Sequence, residues 1–372
     1  MFERNRARSK AKFVGILLII SVALVFNWTP LLQSVLAEAP EETDSIYFEF
    51  DKGSGAITGY DTAGGREIII PAKIAGVVVK EIGTGAFYKK ELTSVRIPEG
   101  VVVIGTQAFQ ENNLTSVKIP DSVKVIGDWA FAVNELISVE IPFSVEVIGD
   151  GAFGKNKLTA LVIGSGAGAD GEEVEKSSGL KEIGKQAFQE NQLTSVELPD
   201  SMTVIGDWAF SINDLTSLEI PSSVRTIGAG AFQSNNLTSV KVPGGVEVIK
   251  EGLFGKNNLT TAVIGEGVKE IEKDAFRKND LTSVELPKSL EVVGQAAFYD
   301  NKLTSLVIPA GVRSLEGWAF DANGLTSVEI GARLDIASSS IDTDFERIYK
   351  ANNRAAGEYG RRSVDSRWYR QR

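Results

Sequence analysis

The sequence predicts a repeat solenoid on three observations. A Phe, nearly always preceded by Ala, returns every 22 residues; a Leu follows each Phe by five places; and apolar and polar residues alternate just beyond that Leu. The period runs through Phe87, Phe109, Phe131 and Phe153, then Phe188, Phe210, Phe232, Phe254, Phe276, Phe298 and Phe320. Every step is 22 residues except that from Phe153 to Phe188, which is 35 and so carries a 13-residue insertion.

The eleven copies follow the unit L-T-S-V-x-I-P-x-S-V-x-x-I-G-x-x-A-F-x-x-N-x. In the copy from Leu92 to Asn113, Val95 and Ile97 alternate with Ser94 and Arg96, the period of a strand with one face buried. Pro98 has no N–H to give a ladder, so the strand is short. Val101 and Ile104 form a second buried segment, Gly105 allows the chain to turn, and Ala108-Phe109 plugs the interior. Asn112 closes the coil, its side chain suited to backbone groups at the turn. One such unit buries too little to fold alone, so stability belongs to the stacked array.

The unit resembles the leucine-rich repeats of the BspA-type bacterial surface proteins, which carry L-T-S-V-x-I-P, then I-G, A-F and a closing Asn; the likeness spans residues 68–337. The resemblance implies a right-handed leucine-rich-repeat coil with a parallel β-sheet on its concave side and short turns or strands on its convex side. It also implies attachment to host or matrix proteins, as in some members.

The flanking segments divide the chain further. Arg4, Arg6, Arg8, Lys10 and Lys12 precede an apolar run from Phe13 to Phe26, and small residues follow at Val35 to Ala39, so residues 1–39 read as a signal peptide for secretion or surface association. An uncleaved anchor is the alternative. Residues 40–67 read as an N-terminal cap hairpin, with Tyr47 to Phe50 as one arm and Ala56 to Tyr60 as the other. The insertion, residues 165–177, is rich in Gly and Ser and carries Asp170, Glu172, Glu173 and Glu175 against Lys176, which predicts an acidic loop leaving the coil. Residues 338–372 read as a C-terminal cap or basic tail. A helix is expected from Asp344 to Asn352, and Phe345, Tyr349, Asn352, Gly357, Tyr359 and Trp368 form a pattern similar to a short terminal motif found after BspA-type repeats.

Cysteine and histidine are both absent, which removes disulfides, thiolate metal sites, cysteine nucleophiles and imidazole catalysis. The formal charge of -10 becomes -13 once the five basic and two acidic groups of residues 1–39 are taken away. Residues 345–372 hold eight basic and three acidic groups, a local +5 that leaves -18 on the rest. No basic stripe is available for nucleic acid along the solenoid. Arg361, Arg362, Arg367, Arg370 and Arg372 offer the tail as a contact for anionic envelope polymer.

Candidate binding residues lie where the scaffold does not dictate identity. The outward position after the strand Val reads Arg96, Lys118, Glu140, Val162, Glu197, Glu219, Lys241, Val263, Glu285, Val307, Glu329. Glu197 and Glu219, on adjacent copies, are the one pair of carboxylates placed for acid/base work or a weak metal site, but the face is open where a hydrolase needs a cleft. One place before the Val, hydroxyls from Ser94 to Ser327 form a row in which stacked strands let them bond to one another. Trp129, Trp208 and Trp318 stand before Ala-Phe where other copies carry Gly, Gln, Asp or Ala, which predicts exposure and either an interface or plain surface cover. The expected function is an exported, adhesion-type module, monomeric and without cofactor or metal, that binds a protein or glycan at a cell surface. The alternatives are a structural cell-envelope protein without a specific ligand and a glycan-acting hydrolase.

Overall fold

The computed structural model describes residues 41–165, 179–331, 334–337 and 339–371. The expected signal peptide and nearly all of the 165–177 insertion lie outside these residues. Thr43–Arg372 is one compact unit, a β-solenoid of about 12 turns with stacked parallel strands.

Each coil contributes one Phe to a continuous column. The rings from Phe87 to Phe320 are wholly buried, with successive centroids 4.9 to 6.0 Å apart. All but one neighbouring pair lie within 9° of parallel; Phe254 and Phe276 are tilted by 24°. The column exists because the repeat is a fixed number of residues, so any insertion must loop out for the next ring to arrive in phase. Phe153 and Phe188 show this, since they stack at 5.4 Å across the 35-residue step.

Buried asparagines fasten each coil to the one before it. Asn112 Nδ2 donates to Phe87 O at 2.8 Å and Phe109 O at 2.9 Å, while its Oδ1 accepts from Leu92 N at 2.9 Å. The pattern recurs at Asn134, Asn156, Asn191, Asn213, Asn235, Asn257, Asn279 and Asn301, all buried, and at Asn323, which is half-buried. One side chain thereby satisfies donors and acceptors on two coils that burial would otherwise leave unpaired. The residue ahead of each of the ten Asn is left-handed, from Glu111 at φ 55° to Ala322 at φ 55°, as is Lys89 at φ 55° before Lys90, which holds the Asn place in the first coil, and none of the eleven is Gly. Val133 and Ile212, both at φ 57°, are branched at Cβ and least suited to it.

Backbone pairing follows two tracks. The two-residue segments ending at Ile82, Ile104, Ile126, Ile148, Ile183, Ile205 and Ile227 join one nine-stranded sheet, and those from Val248–Ile249 to Asp335–Ile336 form a five-stranded one. The division falls where the ring column is widest, 6.0 Å between Phe232 and Phe254. There Gly245, like Gly267 and Gly311 further on, stands in place of the Ser whose hydroxyl in other coils donates to the preceding coil, as Ser223 does to Met202 O at 2.7 Å. Arg225 Nη1 donates to the freed Val224 carbonyl instead, at 3.1 Å. The second track, through the Leu-Thr-Ser-Val segments, is broken into short ladders such as Ser138–Pro142 with Ala160–Ser165 and Ser239–Val242 with Thr261–Ile264.

Both ends of the column are covered. Strands β1 (Phe48–Asp51) and β2 (Ala56–Tyr60) form an antiparallel hairpin, and β2 then runs parallel to Glu81–Ile82. Tyr60 lies 5.3 Å from Phe87, so the hairpin extends the aromatic column by one ring. At the other end β3 (Ser327–Ile330) is followed by helix α1 (Thr343–Ala351), β4 (Gly357–Gly360) and β5 (Tyr369–Arg370). β4 pairs antiparallel with β3, and β5 with β4. Phe345, Tyr349, Tyr359 and Trp368 pack together beneath them, all buried. Asp342 ties this end together: its Oδ1 caps α1 at Phe345 N (2.6 Å), and its Oδ2 accepts from Trp368 Nε1 (2.9 Å) and meets Arg361 (3.1 Å).

Replacing Asn213 by Ala strips a buried N–H and two carbonyls of their partner and should lower stability by about 2–4 kcal/mol. Ile212→Asn, one residue earlier, relieves an unfavourable backbone and should raise stability by roughly 0.5–1 kcal/mol. The urea midpoints of the two variants, moving in opposite directions, check this. A second expectation concerns acid. Arg347 beside Asp344, helped by the Trp368 N–H, holds the Asp344 carboxyl below the ordinary aspartate range. That contribution is present above the unfolded pKa and fades as pH falls below about 4. Amide exchange compared on either side of that pH should show α1 losing protection before the central coils do.

Candidate functional site

The outward row from Arg96 to Glu329 is exposed at every position, but the strands expected beneath it are not continuous. Arg96, Glu140, Val162, Lys241, Val263, Val307 and Glu329 stand on strands, whereas Lys118, Glu197, Glu219 and Glu285 do not, apart from an isolated bridge between Val263 and Glu285. Pro closes most of these segments after only a few residues, with Gly164, Gly265 and Gly331 in its place in three copies, so a ladder here has little length over which to persist. Single bonds continue between the coils, as from Thr216 N to Thr194 O at 3.1 Å. The row of hydroxyls from Ser94 to Ser327 also departs from expectation: among the described residues none bonds to another, and Ser327 donates instead toward Glu358 Oε1 at 3.3 Å. The bonding serines are those after the Pro, each reaching the preceding coil, for instance Ser122 to Val101 O and Ser289 to Val268 O, both at 2.7 Å.

Several charged side chains on the other rows are paired coil to coil. Lys124 with Glu146, Lys250 with Glu272, Lys269 with Glu247, Lys273 with Glu251 and Lys302 with Asp280 are all ion pairs between residues 22 apart. Glu251 also holds the Lys273 ammonium above the usual lysine range. In the outward row Lys118 and Glu140, or Glu219 and Lys241, have the same spacing and opposite charge, yet no ion pair joins them. Beside Glu285 two adjoining hollows open, about 660 Å³ lined by Val284, Leu286, Val307 and Pro309, and about 360 Å³ lined by Val263, Ile264 and Pro287. No cluster of three or more acidic side chains among the described residues has the geometry of a metal site, and Glu197 and Glu219 stand exposed rather than enclosed.

The tryptophans occupy a second left-handed position, shared with Gly85, Gln107, Gly151, Gln186, Gly230, Gly252, Asp274 and Ala296. That backbone, rather than exposure alone, explains why Gly recurs among the residues found there. Trp129 is half-buried, while Trp208 and Trp318 are 42% and 47% exposed. A side chain on Gly151 would strike the Trp129 ring at 2.3 Å, and one on Gly230 the Trp208 ring at 2.5 Å, so each indole lies over a glycine of the following coil. Trp318 has Ser339 in that place and lines a hollow of about 310 Å³ with Lys273, Asp274, Arg277, Gln295, Ala296, Tyr299 and Asp321. Apart from Trp318, reading the repeat one copy at a time passes over these residues; reading the same phase across three successive copies would have assembled them.

The tail is less available than its charge implies. Arg361 is nearly buried, bound to Asp342, to Leu325 O at 2.7 Å and over the Trp368 ring at 4.7 Å. Arg370 Nη2 donates to Ala356 O at 2.6 Å, while Arg362 and Arg367 are exposed and Arg372 lies outside the described residues. Among the described residues no helix is long and apolar enough to cross a membrane.

A family model for the BspA type leucine rich repeat region (6 copies) matches residues 66–169, 167–281 and 269–348. No curated protein matches the chain significantly. Among solved structures, a leucine-rich repeat protein from Bacteroides ovatus is 22% identical with a TM-score of 0.55, over 77% of this chain and 79% of its own. The pneumococcal vaccine antigen PcpA is 22% identical with a TM-score of 0.48, over 77% of this chain and 79% of its own. A leucine rich cell surface protein from Faecalibacterium prausnitzii is 22% identical with a TM-score of 0.43, over 82% and 99% respectively. The likeness to the Bacteroides protein shows the fold.

Gly230→Ala should cost more than about 1 kcal/mol, since it adds a side chain both at φ 61° and against the Trp208 ring. If the indole does rest on Gly230, adding Trp208→Ala should recover part of the loss. Additive losses in the thermal midpoints of the two single variants and the double variant would argue that the two residues do not touch.

Proposed function

The chain belongs to the BspA-type leucine-rich-repeat family, and on that premise we propose that it is an exported, non-enzymatic surface module that binds a protein or glycan partner through the outward row from Arg96 to Glu329. One contrast supports the reading: several other surface rows join opposite charges 22 residues apart in ion pairs, whereas in this row Lys118 with Glu140 and Glu219 with Lys241 stand at that spacing without one. Exposed charges held open on a rigid scaffold suit steering and orientation of a partner. Val162, Val263 and Val307, each about half exposed, add apolar contact, and the hollows beside Glu285 accept a partner side chain as an anchor.

The charged, then apolar, then small-residue order of residues 1–39 supports export. Residues 40–67 and 338–372 act as caps in this reading, supported by Tyr60 on Phe87 and by β4 along β3. Covered ends favour a monomer, because the hairpin and the C-terminal segment close the buried aromatic column at both ends. The exposed Arg362 and Arg367 leave the C-terminal cap a modest basic contact for anionic envelope polymer.

Pull-down with envelope and extracellular-matrix components tests the reading, followed by the triple variant Glu219→Lys, Glu285→Lys, Glu329→Lys. The partner recovered by the wild type should bind the variant at least roughly tenfold more weakly, with circular dichroism unchanged. Equal affinity of the two proteins would remove this face from the reading.

A further inference from the structure

We propose that the hollow around Trp318 is a second binding site, one that takes a neutral saccharide. It lies on the turn side, 11 residues from both Val307 and Glu329 and so half a coil from the outward row. Its failure would therefore leave the reading of that row untouched.

The site is assembled from three rows crossing three coils. Asp274, Ala296 and Trp318 occupy the left-handed turn position of successive copies, at φ 57°, 54° and 58°. Arg277, Tyr299 and Asp321 follow the Phe of the same copies, and Lys273 and Gln295 precede the turn position. Because each step is 22 residues, the small Ala296 sits between two larger neighbours, and the space it leaves is the hollow of about 310 Å³. Trp318 is also the tryptophan without a following glycine to lie upon, with 47% of its surface open. A bulky ring on an unfavourable backbone, at a position where Gly is common, calls for a use other than cover.

The polar lining is incompletely satisfied by the protein. The Gln295 amide and the Asp321 carboxylate have no side-chain hydrogen bond among the described residues, and Arg277 Nε is buried without a partner. Arg277 is otherwise held in place, with Nη1 3.4 Å from Asp274 Oδ1 and the guanidinium 5.3 Å from the Tyr299 ring centre. Lys273 and Arg277 balance Asp274 and Asp321, so the lining has no net charge to favour an ion. What it presents is one exposed aromatic face, donors and acceptors in near-equal number, and a volume at the small end of ligand sites. A pyranose matches each feature. The C–H groups of one ring face rest on the negative face of the indole, while hydroxyls donate to Asp321 and Gln295 Oε1 and accept from Gln295 Nε2 and Lys273. The hollow is open, so one or two rings of a longer glycan can sit in it while the rest continues along the coil.

Saturation-transfer NMR on the whole chain, which reads millimolar binding, with cellobiose, chitobiose, maltose, lactose and mannobiose as probes, tests the assignment. At least one disaccharide should bind the wild type, with loss of signal in Trp318→Ala and a weakening of about fivefold or more in Asp321→Ala. Trp208→Ala, on the same row but outside the hollow, should bind as the wild type does, and Trp318→Phe should retain part of the affinity, which separates loss of contact from loss of fold. No binding by any of the five probes, or binding undiminished by Trp318→Ala, overturns the proposal.

Discussion

The fold depends on one side chain in each coil from Asn112 to Asn323, the asparagine whose amide replaces backbone partners on two coils at once. Its Nδ2 holds the carbonyls of two successive Phe residues and its Oδ1 takes the N–H of the Leu that opens its own 22-residue copy. Phe and Asn are therefore parts of one device: the ring fills the interior, and the amide fixes the height at which the next ring arrives. The left-handed residue before each Asn follows from the same device, because the chain must reverse there to aim the amide inward. A cost repeated before each of the ten asparagines persists because burial of the amide would otherwise strand several polar groups in each of those coils.

This arrangement makes the protein a set of rows. Any residue recurs 22 positions later as its own neighbour, so a substitution is judged less by the residue beside it in sequence than by those one coil away. Lys250 meets Glu272, Ser223 meets Met202, and Trp208 meets Gly230 in this way. Asp128 and Asp207 show the same logic with the backbone, each accepting an N–H from the following coil at 2.9 Å. Rows that carry such links are committed to the array.

Much of this was legible in the sequence. The 22-residue period and the buried Val, Ile and Phe positions follow from spacing alone, and the structural use of Asn112 and its equivalents follows from residue type. The hairpin at Phe48 to Tyr60 and the helix near Phe345 were visible from alternation and from the break in the repeat. Less legible was which backbone segments pair. L-T-S-V-x-I looks more like a strand than V-I does, yet the two-residue segments form the longer sheets. In the nine-stranded sheet a glycine follows the Ile of every such segment and lets the coils approach closely, whereas in the five-stranded one Gly294 alone does so and Lys250, Glu272, Glu316 and Ala337 take the other places. At Gly105, Gly127 and Gly149 an added side chain would meet backbone of the preceding coil at about 3 Å or less. The serine rows were misread for a related reason: hydroxyls on adjacent strands need a donor direction along the stack, and the backbone carbonyl of the preceding coil offers a better acceptor to the serine after the Pro.

The tail shows why charge alone is a poor guide to availability. Residues 345–372 are rich in arginine, yet Arg361 is bound up in the contacts that hold the last coil. Asp342 sits at the centre of that arrangement, capping α1 while holding both Trp368 and Arg361. An array whose stability is shared between neighbours is weakest at its ends, where each coil has one neighbour instead of two. Aromatic and charged groups concentrated in a short terminal segment supply there what a further coil would have supplied. The same residues that looked from composition like a contact for something else are in large part the last layer of the core.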